Sequence, residues 1–396
     1  MKKNQSKLII ILIILLLILQ TPNFDPVYVD AKPDNNNRQV VVAIIDTGID
    51  FSHDELNDLK WMNPREIAND GIDNDNNGYI DDMYGWNFHS NNNQVYNSNN
   101  TYDDHGTHCA GILAGLISNV EVKIMSLKVL GGSNRTGDTE SLIKAIKYAE
   151  KMGADICNIS LGTKYDDPNL EEVISESKML FVVAAGNASN GNDNDKNPIF
   201  PASYPSDNII SVANMADDES LDSTSNYGKE KVDLAAEGKD VYSTLTHNRY
   251  GYMSGTSMAT IKVTGAVAVV YSMYPDITLI QAKEGVLSTV KPVISLLNKV
   301  RTGGVLDFTG SISYHIPTDV TIIKNKTLKI GELYTIKPSF TPIYASTSYS
   351  FISSNTKVAT VNNLTGKIKP KKKGTTVITI KTQSGLSSTC IVKVIR

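Results

Sequence analysis

Val40-Val41-Val42-Ala43-Ile44-Ile45-Asp46-Thr47-Gly48-Ile49-Asp50 is the stretch on which the reading of this 396-residue chain turns. An unbroken apolar run from Val40 to Ile45 predicts a strand buried on both faces, as in a parallel sheet. The run ends on an acid, so the Asp46 carboxylate stands at the carboxyl end of that strand. Similar runs recur at Val122 to Leu130, Ile156 to Leu161 and Met179 to Ala185. Helical periodicity falls between them. Leu142, Ile143, Ala145, Ile146, Ala149 and Met152 share one face, and Asp138 or Thr139 can cap that helix. Alternating strands and helices predict an α/β fold, a mainly parallel sheet flanked by helices. In such sheets functional groups gather at the carboxyl ends of strands. Asp46 follows one predicted strand, and Asn187 follows another.

Two further segments complete a chemical set. His105-Gly106-Thr107-His108-Cys109-Ala110-Gly111 opens an apolar helix through Ile112, Leu113, Leu116 and Ile117. Gly255-Thr256-Ser257-Met258-Ala259-Thr260 opens a second, apolar nearly all round and therefore expected to be buried. Acid, imidazole and hydroxyl together are the parts of an acyl-transfer site. Ser257 is the nucleophile, His105 the general base and acid, and Asp46 the group that orients the imidazole. A hydroxyl in the first helical turn also sits at the positive end of the helix dipole.

These segments, in this order, resemble the subtilisin-like serine peptidases (subtilases) over roughly residues 38 to 310, which implies a peptidase domain over 38–313. The resemblance implies more than the triad. Ala184-Ala185-Gly186-Asn187 matches the family's oxyanion-hole strand end, so Asn187 and the Ser257 N–H are the expected donors to a developing oxyanion. Ser160-Leu161-Gly162 resembles one wall of the substrate cleft, and Arg135-Thr136-Gly137 its other edge. A peptide between two strand edges is held mainly by its own backbone. The chain departs from the family at Ile261, where Pro is usual, and in the short segment between His105 and Leu127. The loop that wraps a tight calcium ion in secreted relatives is not expected there, which leaves Glu55 without that ion.

An acidic insertion offers another cation site. Asp73-Asn74-Asp75-Asn76-Asn77-Gly78-Tyr79-Ile80-Asp81-Asp82 alternates oxygen ligands, with Gly sixth and a backbone carbonyl at Tyr79. This is the first half of an EF-hand-like loop. Tyr84 stands where a bidentate Glu belongs, and Asp81 or Asp82 is left to compensate. The expected structural calcium ligands are Asp73, Asp75, Asn77, Tyr79 and Asp82. Residues 90–100 are Asn- and Ser-rich and predict an exposed loop.

The two ends of the chain carry different signals. Lys2, Lys3 and Lys7 precede the apolar run Leu8 to Leu19. Twelve helical residues span about 18 Å against about 30 Å of bilayer hydrocarbon, so the run reads as a secretory signal over residues 1–31. About fourteen residues separate Ala31 from Asp46, too few for a folding propeptide, so folding without one is expected. Cys109, Cys157 and Cys390 are too few and scattered for a disulfide framework or a zinc site; Cys109 is expected to be a small core residue. From residue 316 onward 13 Lys and Arg face two acids, a balance of +11, so the rest carries −15 of the net −4. That asymmetry predicts a second domain. Short alternating runs at Val320 to Ile323, Tyr334 to Lys337, Val358 to Val361 and Val377 to Ile380 predict a small antiparallel all-β sandwich. Residues 317–396 resemble the bacterial immunoglobulin-like group 2 (BIG2) module, which implies a wall or surface tethering role.

The sequence therefore reads as a secreted or wall-associated serine endopeptidase acting on protein or peptide, with cell-wall polymer as a partner for the tail and no nucleic acid. Two alternatives remain at this level. One is a maturation protease dedicated to a single secreted peptide. The other is a non-catalytic surface binding protein on the same fold.

Overall fold

The computed structural model describes residues 38–396, apart from 100, 119, 217–218, 314–316, 342–344, 346–348 and 383–384. The expected signal segment, residues 1–31, lies outside the described residues. In chain order the strands are β1 (Val40–Asp46), β2 (Gly85–Asn87), β3 (Val122–Lys128), β4 (Ile156–Ile159), β5 (Leu180–Ala184), β6 (Ile209–Met215) and β7 (Leu234–Glu237). A separate hairpin of β8 (Val241–Leu245) and β9 (Arg249–Met253) follows, then β10 (Lys291–Pro292) and β11 (Gly304–Val305). Apart from the hairpin they form one nine-stranded sheet in the order 10-11-7-6-5-4-1-3-2. All its pairs are parallel except β10–β11 at one edge. β1 lies between β4 and β3, where the strand order reverses, and such a switch point opens a crevice at the strands' carboxyl ends. Asp46 is the last residue of β1.

The helices are α1 (Asp104–Leu116), α2 (Thr139–Lys151), α3 (Pro168–Glu176), α4 (Thr256–Met273), α5 (Leu279–Ser288) and α6 (Phe308–Ser313). Strand alternation divides β1 between two layers. Val41, Ala43 and Ile45 join Leu142, Ala145 and Ile146 of α2 and Leu170 and Ile174 of α3 in one core. On the other face α4 packs across β1, β4, β5, β6 and β7. This explains why α4 is apolar nearly all round. Its neighbour α1 approaches at Gly265, where a Cβ would fall 2.7 Å from Leu116 Cδ1. Asp138 supplies the α2 cap, accepting from the Ser141 N–H at 2.7 Å, a contact worth about 1 kcal/mol. Ile261 is fully buried, and α4 runs unbroken through it. Among the described residues no helix is long and apolar enough to cross a membrane.

Beyond α6 the chain is all β: β12 (Asp319–Thr321), β13 (Asn325–Lys329), β14 (Tyr334–Thr335), β15 (Ser339–Thr341), β16 (Tyr349–Ser353), β17 (Ala359–Val361), β18 (Lys367–Pro370), β19 (Gly374–Thr382) and β20 (Ser387–Ile395). They form a four-stranded sheet (13-20-19-16), a three-stranded sheet (14-18-17) and the pair 12-15. Val320, Leu328, Ile336, Phe351, Ile368, Ile378 and Val392 share one apolar core. One detail departs from the antiparallel expectation: β13 runs parallel to β20.

Candidate active site

Asp46 is buried, and its carboxylate is held from two sides. The Thr47 N–H donates to Oδ1 at 2.6 Å. His105 Nδ1 lies 2.7 Å from Oδ1 and 2.9 Å from Oδ2. The imidazole stands in the first turn of α1 and is partly exposed. Gly106 makes this approach sterically feasible. A Cβ there would fall 2.4 Å from the Gly48 carbonyl oxygen and 3.3 Å from Asp46 Cβ. The Gly106 N–H also donates to Thr47 Oγ1 at 3.0 Å.

Ser257 opens α4 after Gly255, whose φ of 147° is readily adopted by glycine. Its Oγ lies 3.4 Å from the Ser160 carbonyl oxygen. Asn187 Oδ1 accepts from the Thr256 N–H at 3.0 Å, which fixes the amide beside the serine. A cleft of about 290 Å³ is lined by Ser160, Leu161, Gly162, Asn187 and Ser257 together with Thr163, Lys164, Ala184, Gly186, Ile199, Asn226 and Thr256. Ile199 and Asn226 carried no sequence signal; only the fold brings them here. Ile199 Cγ2 packs between the two glycine walls, 2.8 Å from a Cβ built on Gly162 and 3.6 Å from one built on Gly186. Arg135 and Gly137 do not line this cleft. Arg135 lies in a turn closed by Gly131 and Thr136, with Gly137 just beyond it, and Arg135 Nε donates to the Tyr102 carbonyl at 3.2 Å.

Cys109 packs against the acid–imidazole pair. It is fully buried, with its sulfur within 4.8 Å of ligand atoms of both Asp46 and His105. Burial first, and the Asp46 charge second, push its thiol well up, while the neighbouring Ser160 side chain acts in the opposite sense. It is a protonated core residue, as expected, though one packed against the acid–imidazole pair.

His108 was unassigned by the sequence. It is fully buried, and its Nε2–H donates to the carbonyls of Val241 (2.9 Å) and Gly251 (3.2 Å), pinning the β8–β9 hairpin to α1. Burial lowers its pKa to about 4, with the two carbonyls opposing. A base kept neutral in the folded state is protonated first in the unfolded chain. Stability from this residue is therefore complete above the ordinary histidine value and lost as pH falls toward 4. The span corresponds to about 3 kcal/mol. Urea melts from pH 7 to pH 4 should show this loss in a Ser257→Ala background, and His108→Gln should flatten it. Equal slopes in both chains would refute the assignment.

The acidic insertion closes differently from the expected loop. Glu66, Asp73 and Asp75 place carboxylate oxygens within 4.8 Å of one another. Asp82 instead accepts from Asn63 Nδ2 (2.8 Å), Asn77 Nδ2 (2.7 Å) and the Tyr148 hydroxyl (2.7 Å), while Asn77 Oδ1 accepts from the Tyr79 N–H. Glu66, seven residues ahead of Asp73, adds a carboxylate from outside the loop pattern. Burial, more than the nearby Asp82 charge, raises its pKa. Three converging carboxylates with no sulfur or imidazole form a hard-oxygen set that suits calcium. Glu55 has a different partner: its carboxylate accepts from the Tyr250 hydroxyl at 3.3 Å.

This is the subtilisin-like α/β fold, a large mostly parallel sheet flanked by helices. Residues 37–311 match the model of the subtilase family, and the chain belongs to that family. It is 30% identical over 327 residues to subtilisin-like protease 1 of Plasmodium falciparum, covering 73% of this chain and 46% of that protein. It is 33% identical over 245 residues to the major intracellular serine protease of Bacillus subtilis, covering 59% of this chain and 69% of the relative. The chain thus spans about half the length of the parasite relative. Among solved structures it resembles a chain of the subtilase cytotoxin SubAB assembly (TM-score 0.56, 25% identity, covering 70% of this chain and 90% of that one). A cold adapted subtilisin-like serine proteinase is similar at TM-score 0.51 and 26% identity, covering 70% and 94%.

Proposed function

We propose that the chain is a serine endopeptidase working through an acyl-enzyme. The observation that carries this reading is the bidentate contact of the His105 imidazole with buried Asp46, at the same strand ends as the cleft that Ser257 lines. Ser257 Oγ attacks the scissile carbonyl carbon as His105 Nε2 takes its proton. Asp46 holds the imidazole tautomer and stabilises the imidazolium. The oxyanion receives the Ser257 N–H and the Asn187 Nδ2 donors, Asn187 Oδ1 being already occupied by Thr256. His105 then gives the proton to the leaving amine, and water repeats the sequence to release the acid. Substrate lies extended along Ser160–Gly162, the wall that lines the cleft. Labelling by a serine-directed fluorophosphonate tests the reading. Label on the wild-type chain that is absent from Ser257→Ala supports it, and an unlabelled wild-type chain overturns it.

Calcium belongs to the same proposal as a structural ion held by Glu66, Asp73 and Asp75. Bound only by the folded state, it would add about 2.7 kcal/mol at a hundredfold excess over Kd. Melting in calcium should exceed melting in chelator, and Glu66→Gln should narrow the gap. Identical midpoints would mean a solvated acidic turn.

The tail, read as a BIG2-type immunoglobulin-like module, is proposed to hold an exported enzyme at an anionic wall. Its +11 balance supports this. The same labelled chain, pelleted with isolated walls, should release as salt is raised. Salt-independent or absent pelleting would remove the tethering role.

A further inference from the structure

We infer that Lys128, with Asp103, is a positioning residue for the acid–imidazole pair. The inference rests on the peptidase reading above. Lys128 is the last residue of β3, and the register sets it directly beside Asp46 on β1. Its ammonium is buried and makes two contacts. One is a hydrogen bond to the Thr47 carbonyl, in the turn that leaves Asp46. The other is an ion pair with Asp103 Oδ1 at 2.6 Å, both side chains nearly solvent-free at 6% and 2% exposure. Asp103 immediately precedes α1 and lies two residues before His105. Its second oxygen accepts from the Asn97 N–H at 2.9 Å, which draws in the loop ahead of α1. One cation therefore ties the segment that carries the acid to the helix start that carries the base. Gly48 seals the arrangement. A Cβ there would fall 3.2 Å from Asp103 Oδ2 and 3.3 Å from Lys128 Cδ.

Neither side chain reaches the cleft, so both act through Asp46 and His105. A surface ion pair would contribute little, but a dry one fixes geometry and leaves a lone buried charge when either partner is removed. Catalysis is sensitive to that geometry, since a displacement near 1 Å can reduce turnover about 100-fold.

The test compares the full chain carrying Lys128→Met, Asp103→Asn and the double change Lys128→Met/Asp103→Leu. The single variants risk misfolding. The double removes both charges together and is expected to keep the wild-type melting midpoint. Two readouts are taken on each folded chain: kcat and KM on a chromogenic peptide, and the NMR resonance of the His105 Nδ1 proton. A positioning role predicts that the double variant melts normally yet loses about 10- to 100-fold in kcat with KM unchanged. The Nδ1 proton resonance should also move. A folded double variant with wild-type kcat and an unmoved resonance would overturn the inference and leave the pair a purely structural one. If the wild-type chain takes no fluorophosphonate and cleaves nothing, the peptidase reading falls. The Nδ1 resonance then decides the positioning role by itself.

Discussion

Ser257→Ala is expected to abolish peptide hydrolysis while leaving the fold intact. The change removes one oxygen from a residue that is 7% exposed at the start of α4. Among the described residues that hydroxyl makes one long hydrogen bond, to the Ser160 carbonyl at 3.4 Å, so its loss should alter stability by less than about 1 kcal/mol. Turnover should fall on the order of 10⁶-fold, a figure that comes from a subtilisin and is therefore a family value. What remains reflects binding and oxyanion donors acting on water. The measurement is kcat on a chromogenic peptide beside a thermal melt of the same preparation. A folded Ser257→Ala chain with turnover near wild type would show that the hydroxyl is not the nucleophile.

Much of the site was legible because its parts lie at element ends. β1 announces itself by Val40 to Ile45, and Asp46 by ending the run. His105 and Ser257 sit where apolar helices begin, one beside Gly106, whose missing side chain permits a close approach, the other just after Gly255, whose positive φ suits glycine. What escaped the sequence depends on register and on turns. Lys128 becomes a neighbour of Asp46 only once β3 is laid beside β1 in a particular alignment. Glu66 joins Asp73 and Asp75 because its Oε1 accepts from the Asn74 and Asp75 N–H groups, which folds the preceding segment back over the loop. No ligand spacing encodes that. Val95 is similar: it lies in the Asn-rich stretch expected to be exposed, yet it is buried and its carbonyl accepts from the Ile49 N–H. In the tail, alternating residues predict strands equally well whichever way a neighbour runs. The parallel pairing of β13 with β20 was therefore invisible.

Asn187→Ala tests the electrostatic half of the proposed mechanism, separately from the nucleophile. Asn187 follows Gly186, whose φ of 101° turns the chain out of β5 toward the cleft. The Thr256 N–H then holds Oδ1, so the amide is oriented before any substrate arrives. Such a donor is worth most where charge develops, because it needs no reorganisation during the reaction. It should contribute little to ground-state binding, since a planar carbonyl oxygen lies farther from it than the tetrahedral oxyanion does. Asn187→Ala should therefore lower kcat by about 10²–10³-fold with KM nearly unchanged, again a magnitude taken from a subtilisin. Asn187→Leu fills similar volume without a donor and should behave alike, which separates the lost hydrogen bond from a lost packing contact. Fluorophosphonate labelling should persist in both, more slowly, because Ser257 and His105 are untouched. A rise in KM with kcat preserved would make Asn187 a substrate-binding group and would require another donor for the oxyanion.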